Sequence, residues 1–138
     1  MQTLTIHSND RTQFIDITRQ VQQSLEALDL ADGIVTLFVP HTTAGLTINE
    51  NADPDVTADM EKVLDRIVPW TADYAHCEGN TAAHVKTSMM GSSLQVIVEN
   101  GKLQLGTWQA IYFCEFDGPR TRKVWIKYNR TSPPITHK

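Results

Sequence analysis

Three of the five histidines in this 138-residue chain stand where a site could form. His41 follows Pro40 at the end of an apolar run. His76 lies in a polar stretch beside Cys77, and His84 lies eight residues further on, in a segment of helical character. His7, in an edge strand, and His137, in the C-terminal tail, are set aside. Three converging neutral imidazoles suit zinc or another late divalent ion, and three protein ligands with one open position is the pattern of catalytic zinc. No compact motif such as HExxH links the three. The residues alone therefore leave a second reading open: three unrelated histidines, two at the surface and one half-buried.

A second polar group, Asn49-Glu50-Asn51 with Asp53, precedes a helix start. Asp53 is explained as an N-cap and Asp55 as a carboxylate facing the helix dipole. Glu50 is not explained that way, and a general base or a hard-metal ligand is the functional option for it. Gly106-Thr107-Trp108-Gln109 places a glycine between two strands, which predicts a bulge or tight bend. Asp117-Gly118-Pro119 is turn chemistry. Arg120 and Arg122 beyond it could hold a phosphate or carboxylate, or could simply be part of a solvated basic strand. Cys77 beside His76 is a minor option for a nucleophile. No Walker loop, GxGxxG or nucleophile elbow is present.

The elements that must position these groups follow from apolar spacing. Leu4 and Ile6 alternate with polar neighbours as in a half-buried strand, Ser8-Asn9-Asp10 reads as a turn, and Phe14, Ile15 and Ile17 form a second strand, predicting an opening hairpin. Val21, Leu25 and Leu28 fall on one helical face, with Thr18 as N-cap and Asp32-Gly33 as the end. Residues 34 to 39 are a short apolar run rich in β-branched residues, read as a central strand stopped by Pro40. Leu46 to Ile48 is another strand. Asp53-Pro54-Asp55 opens a helix through Val56, Met60, Val63, Leu64 and Ile67 that Pro69 ends. Residues 70 to 81 read as a polar loop, 82 to 90 as a short helix closed by Gly91. Strands follow over 94 to 98, 103 to 105, 108 to 116 and 124 to 128, with Asn100-Gly101 as a hairpin turn. Ser132-Pro133-Pro134 begins a loose tail.

Strands do not alternate regularly with helices, so the expected class is α+β with mainly antiparallel sheets rather than a doubly wound parallel sheet. The length suits one domain, residues 1–138. An apolar content of 41%, a charged content of 20% and a net charge of −4 describe an ordinary globular protein and argue against a broad nucleic-acid surface. No apolar run reaches the roughly 20 residues that cross a bilayer, and no signal peptide is evident. Cys77 and Cys114 form no CxxC pair. A reduced cytoplasmic protein is the simpler expectation, with a disulfide between them left open.

Read together, HTTAGLTINENADPDV, YAH, EGNTAAHVKTSMMG and LGTWQAIYFCEFDGPRTR resemble the YjbQ family, also called UPF0047, over about residues 3 to 128. The resemblance implies a sandwich of mostly antiparallel sheets with two to three helices, assembled as a homotrimer. It implies a metal site at His41, His76 and His84, with zinc first and magnesium as the other option. The family's acidic and amide positions match Glu50, Asn51 and Asp53, and its Gly-Thr-Trp-Gln segment matches Gly106 to Gln109. It also implies a weak secondary thiamine-phosphate synthase activity, joining a hydroxymethylpyrimidine diphosphate to a thiazole phosphate. The expected site therefore has His41, His76 and His84 on the metal, Glu50 as base, Asn51 beside it, and Arg120 on a small phosphorylated substrate. A histidine-rich site is an awkward match for magnesium, which prefers oxygen ligands and usually bridges such phosphates. Expected alternatives are a metal-dependent hydrolase and a non-catalytic trimer that binds a metal or small metabolite.

Overall fold

The computed structural model describes residues 1–28 and 31–131. Its strands are β1 (Gln2–His7), β2 (Gln13–Asp16), β3 (Gly33–Phe38), β4 (Ala44–Glu50), β5 (Ser93–Glu99), β6 (Lys102–Leu103), β7 (Gln109–Glu115) and β8 (Thr121–Arg130). The helices are α1 (Thr18–Glu26), α2 (Pro54–Ile67) and α3 (Thr81–Met90). Five strands form one sheet in the order β1-β8-β3-β5-β6, and three form another in the order β2-β7-β4. Every strand pairing is antiparallel. The α+β class is as expected.

Alternation along the strands builds the layers. Ile6, Val35, Leu37, Val96, Val98, Val124 and Ile126 point from the larger sheet into one core, where they meet Leu46, Ile111 and Phe113 from the smaller sheet. Helix α1 enters the same core through Val21 and Leu25, four residues apart and fully buried. Burying each such side chain is worth ~1.5–3 kcal/mol. The other face of β7 carries Ala110, Tyr112 and Cys114, which pack with Leu64 of α2 and Ala83 of α3. Strand β7 is thus covered on both faces, which accounts for the unbroken run from Ala110 to Phe116.

Several local signals act as the spacing predicts. Asp53 caps α2, its Oδ1 accepting the Asp55 N–H at 2.9 Å, with Pro54 at the first turn. Asn100 (φ 51°) and Gly101 (φ 75°) both take the left-handed backbone that a tight β5–β6 turn requires. Gly91 ends α3 with φ 102°.

Other expectations are corrected. The opening strands form no hairpin: β1 pairs with β8 and β2 with β7, in different sheets. The intervening segment crosses between sheets and is held by Ser8 N–H on Arg120 O and by Gly118 N–H on Arg11 O, both at 3.0 Å. Gly118 is required here, since a Cβ would lie 2.3 Å from Asp10 O. Thr18 is not the cap of α1. Its N–H donates to Asp16 Oδ1 at 3.0 Å, while its hydroxyl accepts the Ile111 N–H at 2.8 Å. Helix α1 ends at Glu26, so Leu28 lies past it and is exposed. Strand β8 is longer than expected and only half solvated: Lys123 and Lys127 face out, but Arg122 is buried. Both cysteines are free, Cys77 exposed and Cys114 buried. Burial pushes the Cys114 thiol far above its ordinary range. The proline-rich tail and His137 lie outside the described residues. No described helix is long and apolar enough to cross a membrane.

Candidate functional site

A cavity of about 620 Å³ opens at the end of the sandwich where β3 leads into β4 and β7 turns into β8. His41, His76 and His84 all line it, together with Arg120 and Arg122. Four separate segments supply these five residues. His41 comes from the β3–β4 link, His76 from the long loop before α3, and His84 from the first turns of α3. The arginines come from the β7–β8 turn and the start of β8.

A buried hub holds the floor. Glu115 ends β7 pointing into the sandwich and is wholly buried; Arg122 faces it from the other sheet with 3% of its side chain exposed. Glu115 Oε1 accepts from Arg122 Nε at 2.9 Å and from Ser8 Oγ at 2.8 Å. Its Oε2 accepts from Arg122 Nη2 at 2.5 Å and from the Asp117 N–H at 3.0 Å. Arg122 Nη2 also donates to Thr43 Oγ1 at 2.8 Å. Burial by itself would raise the Glu115 carboxyl, but the hydrogen bonds from Arg122, Asp117 and Ser8 outweigh it and hold the group below its ordinary value.

The hub fixes the walls as well. Asp117 Oδ2 accepts from Asn80 Nδ2 at 2.9 Å, tying the start of α3 to the β7–β8 turn, and from Arg120 Nη2 at 3.1 Å. Arg120 Nε adds a bond to Asp117 O at 2.9 Å. On the α3 side, the His76 and His84 rings meet edge to face with centroids 5.4 Å apart. Glu78 Oε2 stands 3.9 Å from His76 Nε2. On the β8 side, His41 Nε2 accepts the backbone N–H of Lys123 at 2.9 Å. Burial first, and then the Arg122 charge, lowers the His41 pKa, so this imidazole is neutral at pH 7.

The structure therefore joins the three histidines with Arg120 but separates them from the expected base. Glu50 and Asn51 do not line the cavity. His41 precedes β4 and Glu50 ends it, and six strand steps of ~3.4 Å put about 20 Å between the strand's ends. Glu50 instead receives the Tyr112 hydroxyl on its backbone carbonyl at 3.0 Å. Asn51 donates from its backbone to Trp108 O at 3.0 Å and from its side chain to Asp16 at 3.3 Å. Gln109 closes the Gly106 turn, its Oε1 accepting the Gly106 N–H at 2.8 Å. These residues shape the opposite end of the sandwich. Within one chain, Glu50→Gln is expected to leave turnover within about twofold; a larger loss would mean that a second copy brings its Glu50 to the cavity.

The ion site implied by the resemblance also meets a geometric obstacle. Three histidine ligands need three lone pairs aimed at one point. The His41 Nε2 lone pair is taken by Lys123, and in a neutral ring the other nitrogen then carries the proton. Among the described residues no group of three or more His, Cys, Asp or Glu is placed to hold an ion. Magnesium fits no better, because it needs several oxygen ligands and, of the two carboxylates lining the cavity, Asp117 is already engaged by Asn80 and Arg120, leaving Glu78 alone. The histidines share a cavity, but as arranged they are not a three-ligand set for zinc or magnesium.

Comparison with known proteins gives a consistent picture. The family model described as UPF0047 protein YjbQ-like matches residues 2–131. The chain belongs to this family. It is similar to UPF0047 protein YugU of Bacillus subtilis, 56% identical over 128 residues covering 92% of this chain and 97% of that protein. A UPF0047 protein of Archaeoglobus fulgidus is 44% identical over 126 residues, covering 90% and 97%. Among solved structures, a YjbQ/UPF0047 family protein of Clostridium acetobutylicum superposes with a TM-score of 0.91 at 54% identity, covering 94% of this chain and 100% of that one. The family membership and the fold expected from the sequence motifs therefore stand together.

Glu115 was the residue to find from sequence. A lone carboxylate inside the run Ala110 to Phe116 is a costly group in an otherwise apolar strand, and such a group demands a buried cation. Asp117 and Asn80 offered no comparable signal, since turns and helix starts use both routinely.

Proposed function

We propose that this cavity is the active site of an enzyme acting on a small phosphorylated molecule. The observation that carries the reading is the convergence of three histidines and two arginines from distant segments on one cavity. The arginines would bind the anionic group, and His76 and His84, whose rings meet edge to face with centroids 5.4 Å apart, would supply acid and base. The thiamine-phosphate synthase reaction implied by the family resemblance belongs to this class. A carbon–oxygen bond to pyrophosphate breaks as the thiazole nitrogen bonds to the pyrimidine methylene. The arginines would meet the charge that collects on the departing pyrophosphate, and a histidine would protonate its leaving oxygen. Hydrolysis of a phosphorylated substrate would use the same groups, with water as nucleophile. The test is turnover of the pyrimidine diphosphate with thiazole phosphate, and its hydrolysis alone, by the intact protein and its histidine variants. Phosphate binding without either turnover would favour a binding module.

A homotrimer in a reducing, cytoplasmic setting completes the proposal. Support for self-association comes from the outer face of the larger sheet. Phe38 and Trp125 stack there with centroids 5.8 Å apart, and Ile97 is 58% exposed. Light scattering on the eluting protein should return three times the 15.5 kDa chain mass. A monomer mass at micromolar concentration would reject the assembly.

A further inference from the structure

The cavity has two chemically different sides, and the β8 side is built for a purpose the histidine count conceals. We propose that His41 is held as its Nδ1–H tautomer and, with Nη1 of Arg122, forms an anion-binding subsite for a phosphoryl or pyrophosphoryl group. This deepens the functional reading above and rests on it for the identity of the substrate class.

Two independent observations carry the assignment. The first is the Lys123 N–H donated to His41 Nε2 at 2.9 Å. A backbone amide has no other role to play than donor, so Nε2 must be the acceptor nitrogen and Nδ1 the protonated one. A ring fixed in this way offers a hydrogen-bond donor to whatever enters, and no lone pair. The second observation is the incomplete pairing of Arg122. Its Nε and Nη2 are spent on Glu115 and Thr43, while Nη1 makes no hydrogen bond among the described residues. The side chain is 3% exposed and lines the cavity. A guanidinium held so firmly on one edge, with its remaining nitrogen uncommitted in a side chain that lines the cavity, is a preorganised donor for an oxyanion.

The arrangement also selects against a cation. An ion on this side would face the Arg120 and Arg122 charges and would have to displace the Lys123 amide from His41. His76 and His84, on the opposite side with Glu78, carry no such restraint. The two sides thus divide the work: the β8 side receives the anion, and the α3 side moves protons.

The test uses the full chain with 15N-labelled histidine and arginine and long-range proton–nitrogen NMR. The expected spectrum shows His41 protonated at Nδ1. Added inorganic phosphate, then pyrophosphate, should shift His41 Nδ1 and the Arg122 side chain. Added zinc should perturb His76 and His84 and leave His41 unchanged. The His41→Ala and His41→Gln variants should bind phosphate roughly tenfold more weakly, the loss of one hydrogen bond to a charged group. An Nε2–H tautomer, zinc coupling at His41, or phosphate titration without effect at His41 would each overturn the subsite. If phosphate is held at His41 as described but His76 and His84 variants turn over substrate normally, the functional reading falls and the subsite stands.

Discussion

Glu115→Ala is expected to cost about 3–5 kcal/mol of folding stability, because it leaves the Arg122 guanidinium buried without its counter-charge. Small domains have ~5–15 kcal/mol in total, so this single change would consume a large part of the margin. The pair bridges the two sheets at the end of the core, and three further groups depend on it: Ser8, Thr43 and the Asp117 amide. The double variant Glu115→Leu with Arg122→Met should recover most of the loss, since apolar side chains of similar volume can replace a buried pair at little cost. It should not recover phosphate binding, which needs the arginine. Urea unfolding of the three proteins decides this, and equal midpoints for wild type and Glu115→Ala would show that the pair contributes nothing. The same carboxylate sets an acid limit. Its pKa in the folded chain lies below the ordinary 4.5, so its contribution is complete above that value. It is lost as pH falls through the lower, folded value, because the unfolded chain then takes up the proton more readily. The gap between wild type and Glu115→Gln should therefore be constant at neutral pH and narrow as pH falls below the ordinary 4.5 toward the lower, folded value.

His84→Ala should lower turnover by about 10²–10⁴-fold, the usual contribution of a positioned acid or base, while leaving the fold intact. His84 is only half-buried on a helix whose packing is carried by Ala82, Ala83, Lys86 and Thr87, so truncation opens no core cavity. His76→Ala should lose a comparable factor, and the double variant little more than either alone, the pattern expected of two rings proposed to move protons as one unit. His41→Ala should differ in kind: with the subsite weakened, the substrate concentration needed for half-maximal rate rises more than the maximal rate falls. Steady-state kinetics on the wild type and the four variants separates these patterns. Unchanged turnover in His84→Ala would remove this cavity as the catalytic centre.

Short-range chemistry was legible in the residues. Asp53-Pro54 starts α2, Asn100-Gly101 turns the chain, and Gly91 ends α3 because caps and tight turns depend on groups a few residues apart. The apolar spacing of Val21 and Leu25, and the β-branched run ending at Val39, marked elements that do form. The long motifs around the three histidines carried the family. What they could not carry was the pairing of distant segments. The first two strands read as a hairpin because each is individually strand-like, yet partners more than 90 residues away in β7 and β8 take them into separate sheets. Glu50 read as a base because neither a helix cap nor the helix dipole explained it, and an extended strand carries it to the far end of the sandwich from His41. Lys123, 82 residues from His41, decides which ring nitrogen is free. Arg122 read as one member of a basic strand until Glu115 met it across the core. Local order follows from each segment's own side chains. The chemistry of the cavity follows from which sheet each strand joins, a property of pairs of segments that neither one contains alone.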